Sequence, residues 1–130
     1  MADDQLQVEL VAADRTVWSG QATMVIAHTV DGDVGILRNH APVLSLLTDG
    51  VVEISPVDGD PMFAAVDGGF LSVAHNRVSI LSQYAALSHE IDVDAVRAEL
   101  EAAQSDSESD DADERVRRAE ARISAVEKAS

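Results

Sequence analysis

Four Asp-Gly pairs punctuate the first seventy residues of this chain, and each one separates two short apolar runs. The pairs fall at positions 31–32, 49–50, 58–59 and 67–68. Glycine supplies the positive φ that a tight connection needs, and an aspartate before it tolerates a left-handed conformation. Short apolar runs between such turns are typical of antiparallel strands. The pattern therefore predicts β-hairpins, and their regular spacing favours an all-β sandwich or flattened barrel.

The strand prediction is sharpest near the N-terminus, where apolar and polar residues alternate. Leu6, Val8 and Leu10 are each separated by a glutamine or a glutamate, which is the period of a half-buried strand. Further short apolar runs lie at 16–18, 22–30, 43–47, 51–55, 62–66, 70–74 and 78–82. Residues 1–90 are therefore predicted to form one β-sandwich domain.

The apolar period lengthens after residue 91. One stripe with helical spacing consists of Val93, Val96, Leu100 and Ala103, and a second consists of Val116, Ala119, Ile123 and Val126. Asp92 is suited to cap the first helix, and Glu114 lies at i, i+4 from Arg118 on the second. The second helix is predicted to span about 25 Å from Ala112 to Lys128.

Residues 91–130 are therefore predicted to form a helical hairpin that follows the sandwich. The acidic segment at about 105–111 repels itself and is too polar to pack, so it is predicted to be the linker between the two helices. Each apolar stripe is too narrow to build a core of its own. The helical hairpin must consequently pack on the sandwich or on another protein.

Charge and composition exclude several classes of partner and site. The formal net charge is −15, with −9 over residues 1–90 and −6 over residues 91–130, and such a surface repels nucleic acid and anionic lipid headgroups. The absence of cysteine excludes disulfides and thiolate metal sites. No run of eighteen apolar residues occurs, and residues 1–4 are acidic rather than basic. These features predict a soluble cytoplasmic protein.

The predicted strand at residues 22–30 is apolar on both of its faces. Val25 and Ala27 alternate with Met24 and Ile26, whereas a free-standing antiparallel sandwich normally keeps one face wet. Met24 and Ile26 therefore require a cover. Two covers are open at this point, namely the chain's own C-terminal tail and a partner protein.

Sequence motifs for catalysis or metal binding are scarce. The four histidines, His28, His40, His75 and His89, form no His-x-His or His-x-x-x-His pair, which disfavours a metal site. Neither a Gly-x-Ser-x-Gly elbow nor a phosphate-cradling glycine loop is present. Pro42 stiffens the stretch "GDVGILRNHAPVL" at residues 32–44, so this segment is predicted to be a bend in which His40 bonds a nearby backbone group. The alternative that remains open is a free-standing sandwich that binds a small ligand or metal and is gated by its helical tail.

Several segments occur together in an order that is specific to one family. These are "GDVGILRNHAPVL" at 32–44, "DGVVEI" at 49–54, "VDGGFLSV" at 66–73 and "VSIL" at 78–81. In this order and spacing they resemble the epsilon subunit of bacterial F-type ATP synthases, and the resemblance extends from about Leu6 to Ala103. It implies a sandwich followed by a helical hairpin in a non-catalytic subunit of the central stalk.

The resemblance also implies partners and a location. The subunit would grip the gamma subunit and rest on the ring of c subunits, at the cytoplasmic face of the cell membrane. Its contact with the membrane would be only through the complex. The helical hairpin would extend towards the alpha and beta subunits and inhibit ATP hydrolysis.

Five residues of the sandwich are implied to contact these partners. Asp33 matches the acidic turn residue that faces the polar loops of the c-ring. His40 and Ser45 fall where the family meets gamma. Gamma would also supply the cover for Met24 and Ile26.

The helical hairpin carries two further implied sites. "VDAVRA" at residues 93–98 resembles a motif with which some family members bind ATP as a regulatory ligand, through Asp94 and Arg97. The simpler interpretation of those two residues is an i, i+3 ion pair on the helix surface. The short second helix makes a long reach into the catalytic head doubtful. Its basic residues are implied to meet acidic segments of beta or gamma, and they are Arg115, Arg117, Arg118 and Arg122.

Overall fold

The computed structural model describes residues 5–106 and 108–130. In that part of the chain, nine strands precede two helices. The strands are β1 (Leu6–Ala12), β2 (Arg15–Thr29), β3 (Gly32–Ile36), β4 (Val43–Leu47), β5 (Gly50–Pro56), β6 (Met62–Val66), β7 (Gly69–Ala74), β8 (Arg77–Leu81) and β9 (Ala85–Leu87). A 3-10 turn (Ser88–Glu90) leads to helices α1 (Val93–Ser105) and α2 (Ala112–Ala129). The acidic residues 1–4 and Ser107 of the predicted linker lie outside the described residues.

The strands form a sandwich whose two layers share the long strand β2. The order of hydrogen-bonded neighbours is β1-β8-β7-β4-β2-β5-β6-β9, while β2 also pairs with β1 and β3. β1 and β8 pair in parallel, and the other pairings are antiparallel. The predicted fold class, an all-β sandwich followed by a helical hairpin, is confirmed. Neither helix is long and apolar enough to cross a membrane, as judged over the described residues.

The core lies between the two layers and is built from the alternating strand residues. Leu6, Val8 and Leu10 are fully buried, as the period-2 pattern predicts, and Ile54 and Ile80 meet them from β5 and β8. Each such side chain contributes roughly 1.5–3 kcal/mol relative to leaving it exposed. This apolar interior holds the two layers together.

The four Asp-Gly turns divide into two kinds. The turns at 31–32 and 58–59 join paired strands, β2 to β3 and β5 to β6, so those two hairpins are confirmed. The turns at 49–50 and 67–68 join strands that do not pair with each other, β4 to β5 and β6 to β7. The hairpin prediction is wrong there, because these turns carry the chain from one run of paired strands to another.

Gly69 shows why glycine is required at one of those crossings. Its φ is +116°, and a Cβ atom placed on it would lie 2.0 Å from the Leu81 carbonyl oxygen. That separation is far inside van der Waals contact, so only glycine lets β7 begin this close to β8.

The segment at 32–44 is only partly the predicted bend. Gly32–Ile36 forms β3 and pairs with β2, whereas the corner itself follows it. Within that corner His40 Nδ1 lies 2.6 Å from the Ala41 carbonyl oxygen, which confirms the predicted bond to nearby backbone. Asn39 adopts a positive φ and donates its backbone N–H to the side chain of Asn76. The corner is thereby fastened to the turn between β7 and β8.

Helix α1 has the predicted cap, and the helical hairpin packs on the sandwich. The Asp92 carboxylate caps α1 by accepting the Ala95 N–H at 3.3 Å, and Glu114 pairs with Arg118 at 2.7 Å. α1 packs mainly on α2, while α2 packs on β5, β6 and the 3-10 turn. The helical hairpin therefore rests on the sandwich through α2.

Candidate functional site

The polar contacts between α2 and the sandwich form one connected group of charges. Arg122 donates to both oxygens of the Asp67 carboxylate at 3.0 and 3.3 Å. Arg118 Nε lies 3.4 Å from an Asp49 oxygen and 3.7 Å from an Asp67 oxygen. Arg117 reaches Asp49 at 3.4 Å. We call these five residues the ion cluster.

The ion cluster exists because of the two crossing turns. Asp49 ends the connection from β4 to β5, and Asp67 directly follows β6, before the glycine pair. Both carboxylates come within reach of Arg118, which lies one helical turn before Arg122 on α2. Sequence reasoning missed this site, since it interpreted both aspartates only as turn residues.

Burial dominates the electrostatics of Asp67. The side chain is only 7% exposed, and this desolvation raises the pKa of its carboxyl above the usual value, with the Asp49 charge adding to the rise. Arg122 and Arg118 act in the opposite direction and offset part of it. The Arg122 guanidinium also lies 4.0 Å from the centre of the Tyr84 ring, where a cation is stabilised by the ring face.

Few apolar contacts support the helical hairpin beside this cluster. Val51, Ala65 and Ala125 form a buried group, with the partly buried Phe63 and Tyr84 packed around it together with Ile91. The group is much smaller than the core between the layers. Docking of α2 therefore depends on the ion cluster as well as on burial.

Met24 and Ile26 lie on the same sheet face as this small apolar group. Their partners on β5 are Ser55 and Glu53, which share a face with Val51 because strand residues alternate. Both side chains are half-buried, and neither belongs to the buried groups of the two clusters. The helical hairpin thus lies over part of this face without sealing these two residues.

A larger exposed apolar surface lies elsewhere on the sandwich. Leu46, Phe70 and Leu81 are cross-strand neighbours on β4, β7 and β8, and Leu44 shares their face two residues before Leu46. Leu44 is 73% exposed and Phe70 is 51% exposed. An open hollow of about 340 Å³ borders Phe70 and Leu81. We call Leu44, Leu46, Phe70 and Leu81 the apolar strip.

Two of the predicted gamma-contact residues, Ser45 on β4 and His40 before it, differ in position relative to this strip. Ser45 alternates with Leu44 and Leu46 along β4, is half-buried, and lines a hollow with Thr29 and Asp33. Its side chain therefore faces away from the strip. His40 is half-buried in the corner before β4.

The predicted c-ring residue Asp33 lies at the tip of the sandwich. It is the second residue of β3, its side chain is 72% exposed, and a carboxylate oxygen contacts Nδ1 of His28. A charged side chain in this position is presented directly to solvent.

The remaining predicted residues lie on the helices. Asp94 and Arg97 are both exposed in the first turns of α1, and among the described residues no ion pair within 4.0 Å joins them. The interpretation as a surface ion pair is therefore wrong, because the two side chains do not meet. Arg115 pairs with Asp106 at 3.1 Å and with Asp111 at 3.8 Å. All four arginines predicted to contact beta or gamma are thus paired within the chain.

The four histidines are dispersed. His28 lies beside Asp33, His40 lies in the corner, His75 lies in the turn between β7 and β8, and His89 lies in the 3-10 turn. Over residues 5–106 and 108–130, no group of three or more potential ligand side chains is placed to hold a metal ion.

Comparisons with known proteins identify relatives of the whole chain. Residues 5–88 match the family model described as ATP synthase, Delta/Epsilon chain, beta-sandwich domain. The chain is 49% identical over 122 residues to the ATP synthase epsilon chain of Streptomyces avermitilis, covering 94% of this chain and 95% of the relative. It is 44% identical over 127 residues to that of Corynebacterium efficiens, covering 97% and 96%.

A solved structure has the same fold. A chain in the cryo-EM structure of the Euglena gracilis mitochondrial ATP synthase, which contains OSCP, F1 and the c-ring, superposes with a TM-score of 0.73 at 25% identity. The match covers 95% of this chain and 78% of that one.

Proposed function

Because the chain belongs to the delta/epsilon family of ATP synthase subunits, we propose that it is the non-catalytic central-stalk subunit that couples gamma to the c-ring. Its partners are gamma, the c-ring, and the alpha and beta subunits. The protein is a part of the ATP synthase, and we place it at the cytoplasmic face of the cell membrane, with membrane contact only through the complex.

The observation that carries the contact with gamma is the apolar strip. Four large side chains on one face of three neighbouring strands are about half-exposed or more, in a chain whose formal net charge is −15. Contiguous exposed apolar groups on such a protein mark a surface that a partner covers. We therefore assign gamma to the apolar strip together with His40.

This assignment changes the proposed roles of three other residues. Ser45 supports the strip from the opposite side of β4 and does not itself provide the apolar contact. Met24 and Ile26, half-buried on the strand next to β5, provide a second and smaller contact for gamma.

In contrast to gamma, the c-ring is proposed to contact a polar surface, the tip of the sandwich around Asp33. Asp33, the second residue of β3, is proposed to face the polar loops of the ring, because its carboxylate is exposed at the end of the sandwich. The apolar strip and this tip lie on different parts of the same rigid body, which allows one sandwich to hold both partners.

We further propose that the chain divides functionally at about residue 90. The sandwich of residues 1–90 couples the rotor, and residues 91–130 regulate hydrolysis. Inhibition would require Arg115, Arg117, Arg118 and Arg122 to exchange their present acidic partners for acidic segments of beta or gamma. Asp94 and Arg97 are the proposed contacts for ATP as a regulatory ligand.

Reconstitution tests the function directly. Epsilon-depleted synthase of the same organism should rebind this chain only when gamma is present, and rebinding should restore proton-coupled ATP synthesis. Deleting residues 91–130 should leave rebinding intact and raise ATP hydrolysis. Failure to bind gamma would refute the coupling function, and unchanged hydrolysis would confine the function to the sandwich.

A further inference from the structure

Asp67 occupies a position in which its negative charge opposes the docking of α2. The carboxylate is almost fully buried in the docked state, and the neighbouring Asp49 adds repulsion. Because its pKa in this state is raised, the docked form binds a proton at Asp67 more readily than an undocked, solvated form would. Ionised Asp67 therefore docks α2 less well than a neutral side chain of the same shape.

Arg122 compensates the negative charge of the ionised Asp67 carboxylate in the docked state. It provides the two shortest contacts to Asp67, and Arg118 provides a longer one that it shares with Asp49. Removing one partner of a buried ion pair costs much more than the intact pair contributes, because the other charge remains buried without compensation. The docked state without Arg122 would thus hold two adjacent carboxylates that Arg118 must share, with Arg117 reaching Asp49 but not Asp67.

We propose that Asp67 makes docking of the helical hairpin conditional on Arg122, so that the hairpin is released as one unit whenever Arg122 is drawn away. The apolar contacts beneath α2 are few, so they do not offset the cost of burying the Asp67 charge without its partner. α1 packs mainly on α2 and leaves the sandwich with it. No partly docked intermediate is then favoured.

The stem of the hairpin has a separate fastening. Arg15 on β2 donates to both carboxylate oxygens of Glu90 at 2.7 and 3.0 Å, and a Glu90 oxygen accepts the Leu87 N–H at 2.9 Å. This pair fixes the 3-10 turn to the sandwich. Release therefore pivots at Ile91 and Asp92, immediately after the fastened turn.

Docking of the helical hairpin is a property of the chain alone, whereas a role for its release in regulating hydrolysis rests on the proposed function. The arginines that satisfy the sandwich are those proposed to contact acidic segments of other subunits. An acidic surface that captured Arg122 would leave Asp67 unpaired and thereby complete the release. Failure of gamma binding would remove this role in regulation, but it would not affect thiol labelling or amide exchange of the isolated chain.

Thiol labelling of the full chain tests the proposal, because the protein has no cysteine of its own. Ala125→Cys places one thiol in a fully buried position on α2, against Val51 and Ala65 of the sandwich. Adding Arg122→Gln should raise its rate of reaction with a maleimide by at least about tenfold, the ratio for a shift of ~1.4 kcal/mol. Arg117→Gln is the matched control, because Arg117 is 58% exposed and reaches Asp49 rather than Asp67. It should change the rate less than about twofold.

The decisive variant carries Arg122→Gln and Asp67→Asn together in the Ala125→Cys chain. Neutralising Asp67 removes the charge that Arg122 compensates, so protection of the introduced thiol should return to within about threefold of the parent. Labelling of Ala103→Cys, buried on α1, should stay slow in Arg122→Gln if the hairpin leaves as one unit.

Amide exchange of α2 in the same variants without cysteine gives a second readout if the new thiol itself loosens the helix. Parent-like protection in Arg122→Gln would overturn the proposal. Failure of Asp67→Asn to restore protection would overturn it as well.

Discussion

Replacing Phe70 with alanine should weaken binding to gamma strongly, because Phe70 is the centre of the apolar strip. Its cross-strand neighbours are Leu46 and Leu81, and aromatic groups at the centre of an interface carry a large share of the binding energy. A phenylalanine buries about 200 Å², so its exposed 51% leaves about 100 Å² for a partner to cover. At ~25 cal/mol per Å² this is roughly 2.5 kcal/mol, or about 70-fold in Kd.

Phe63→Ala is the matched control for that experiment. The chain has two phenylalanines, and Phe63 is half-buried on the face beneath the helical hairpin. Both substitutions remove the same atoms and both lower the stability of the sandwich. Only Phe70→Ala should weaken gamma binding.

Titration calorimetry with the purified gamma subunit measures the affinity, and urea unfolding of each variant measures the accompanying loss of stability. The assignment of gamma to the apolar strip would be refuted if Phe70→Ala bound gamma within about threefold of the parent. It would also be refuted if Phe63→Ala were the weaker binder.

Three further predictions concern other parts of the chain. Gly69→Ala should destabilise the protein by more than ~3 kcal/mol in urea unfolding, since its Cβ would overlap the Leu81 carbonyl at positive φ. Gly35→Ala, with open space around it, should change stability by less than about 1 kcal/mol. Equal effects of the two substitutions would contradict the close approach of β7 to β8. The pKa of Glu90 is lowered by its hydrogen bonds from Arg15 and the Leu87 backbone, so its contribution to stability is present above the ordinary glutamate pKa and is lost as pH falls through the lowered value. Glu90→Gln should flatten that acid-side loss of stability in thermal unfolding. An unchanged pH profile would exclude a stabilising Arg15–Glu90 pair. If ATP binds through Asp94 and Arg97, calorimetric titration of the chain should show saturable binding that Arg97→Ala abolishes and that Arg115→Ala retains; retention in Arg97→Ala would remove the proposed site.

The local elements could be predicted from the sequence because their signals are local. The alternation around Leu6, Val8 and Leu10 follows from the two-residue period of a strand, and the Asp92 cap follows from the unsatisfied amides of a helix N-terminus. Neither signal needs knowledge of a distant part of the chain. The change of period near residue 91 likewise separated the strands from the helices.

The pairing of strands and the ion cluster were decided only by the tertiary structure. An Asp-Gly turn has the same local conformational preference whether it closes a hairpin or crosses between unpaired strands, so the turns at 49–50 and 67–68 could not be told from the other two. Once both crossings end beneath α2, Asp49 and Asp67 become partners of arginines that are more than fifty residues away in the chain. The register of β4 likewise determines that Leu44 and Leu46 face outward while Ser45 faces inward, because shifting a strand by one residue exchanges its two faces.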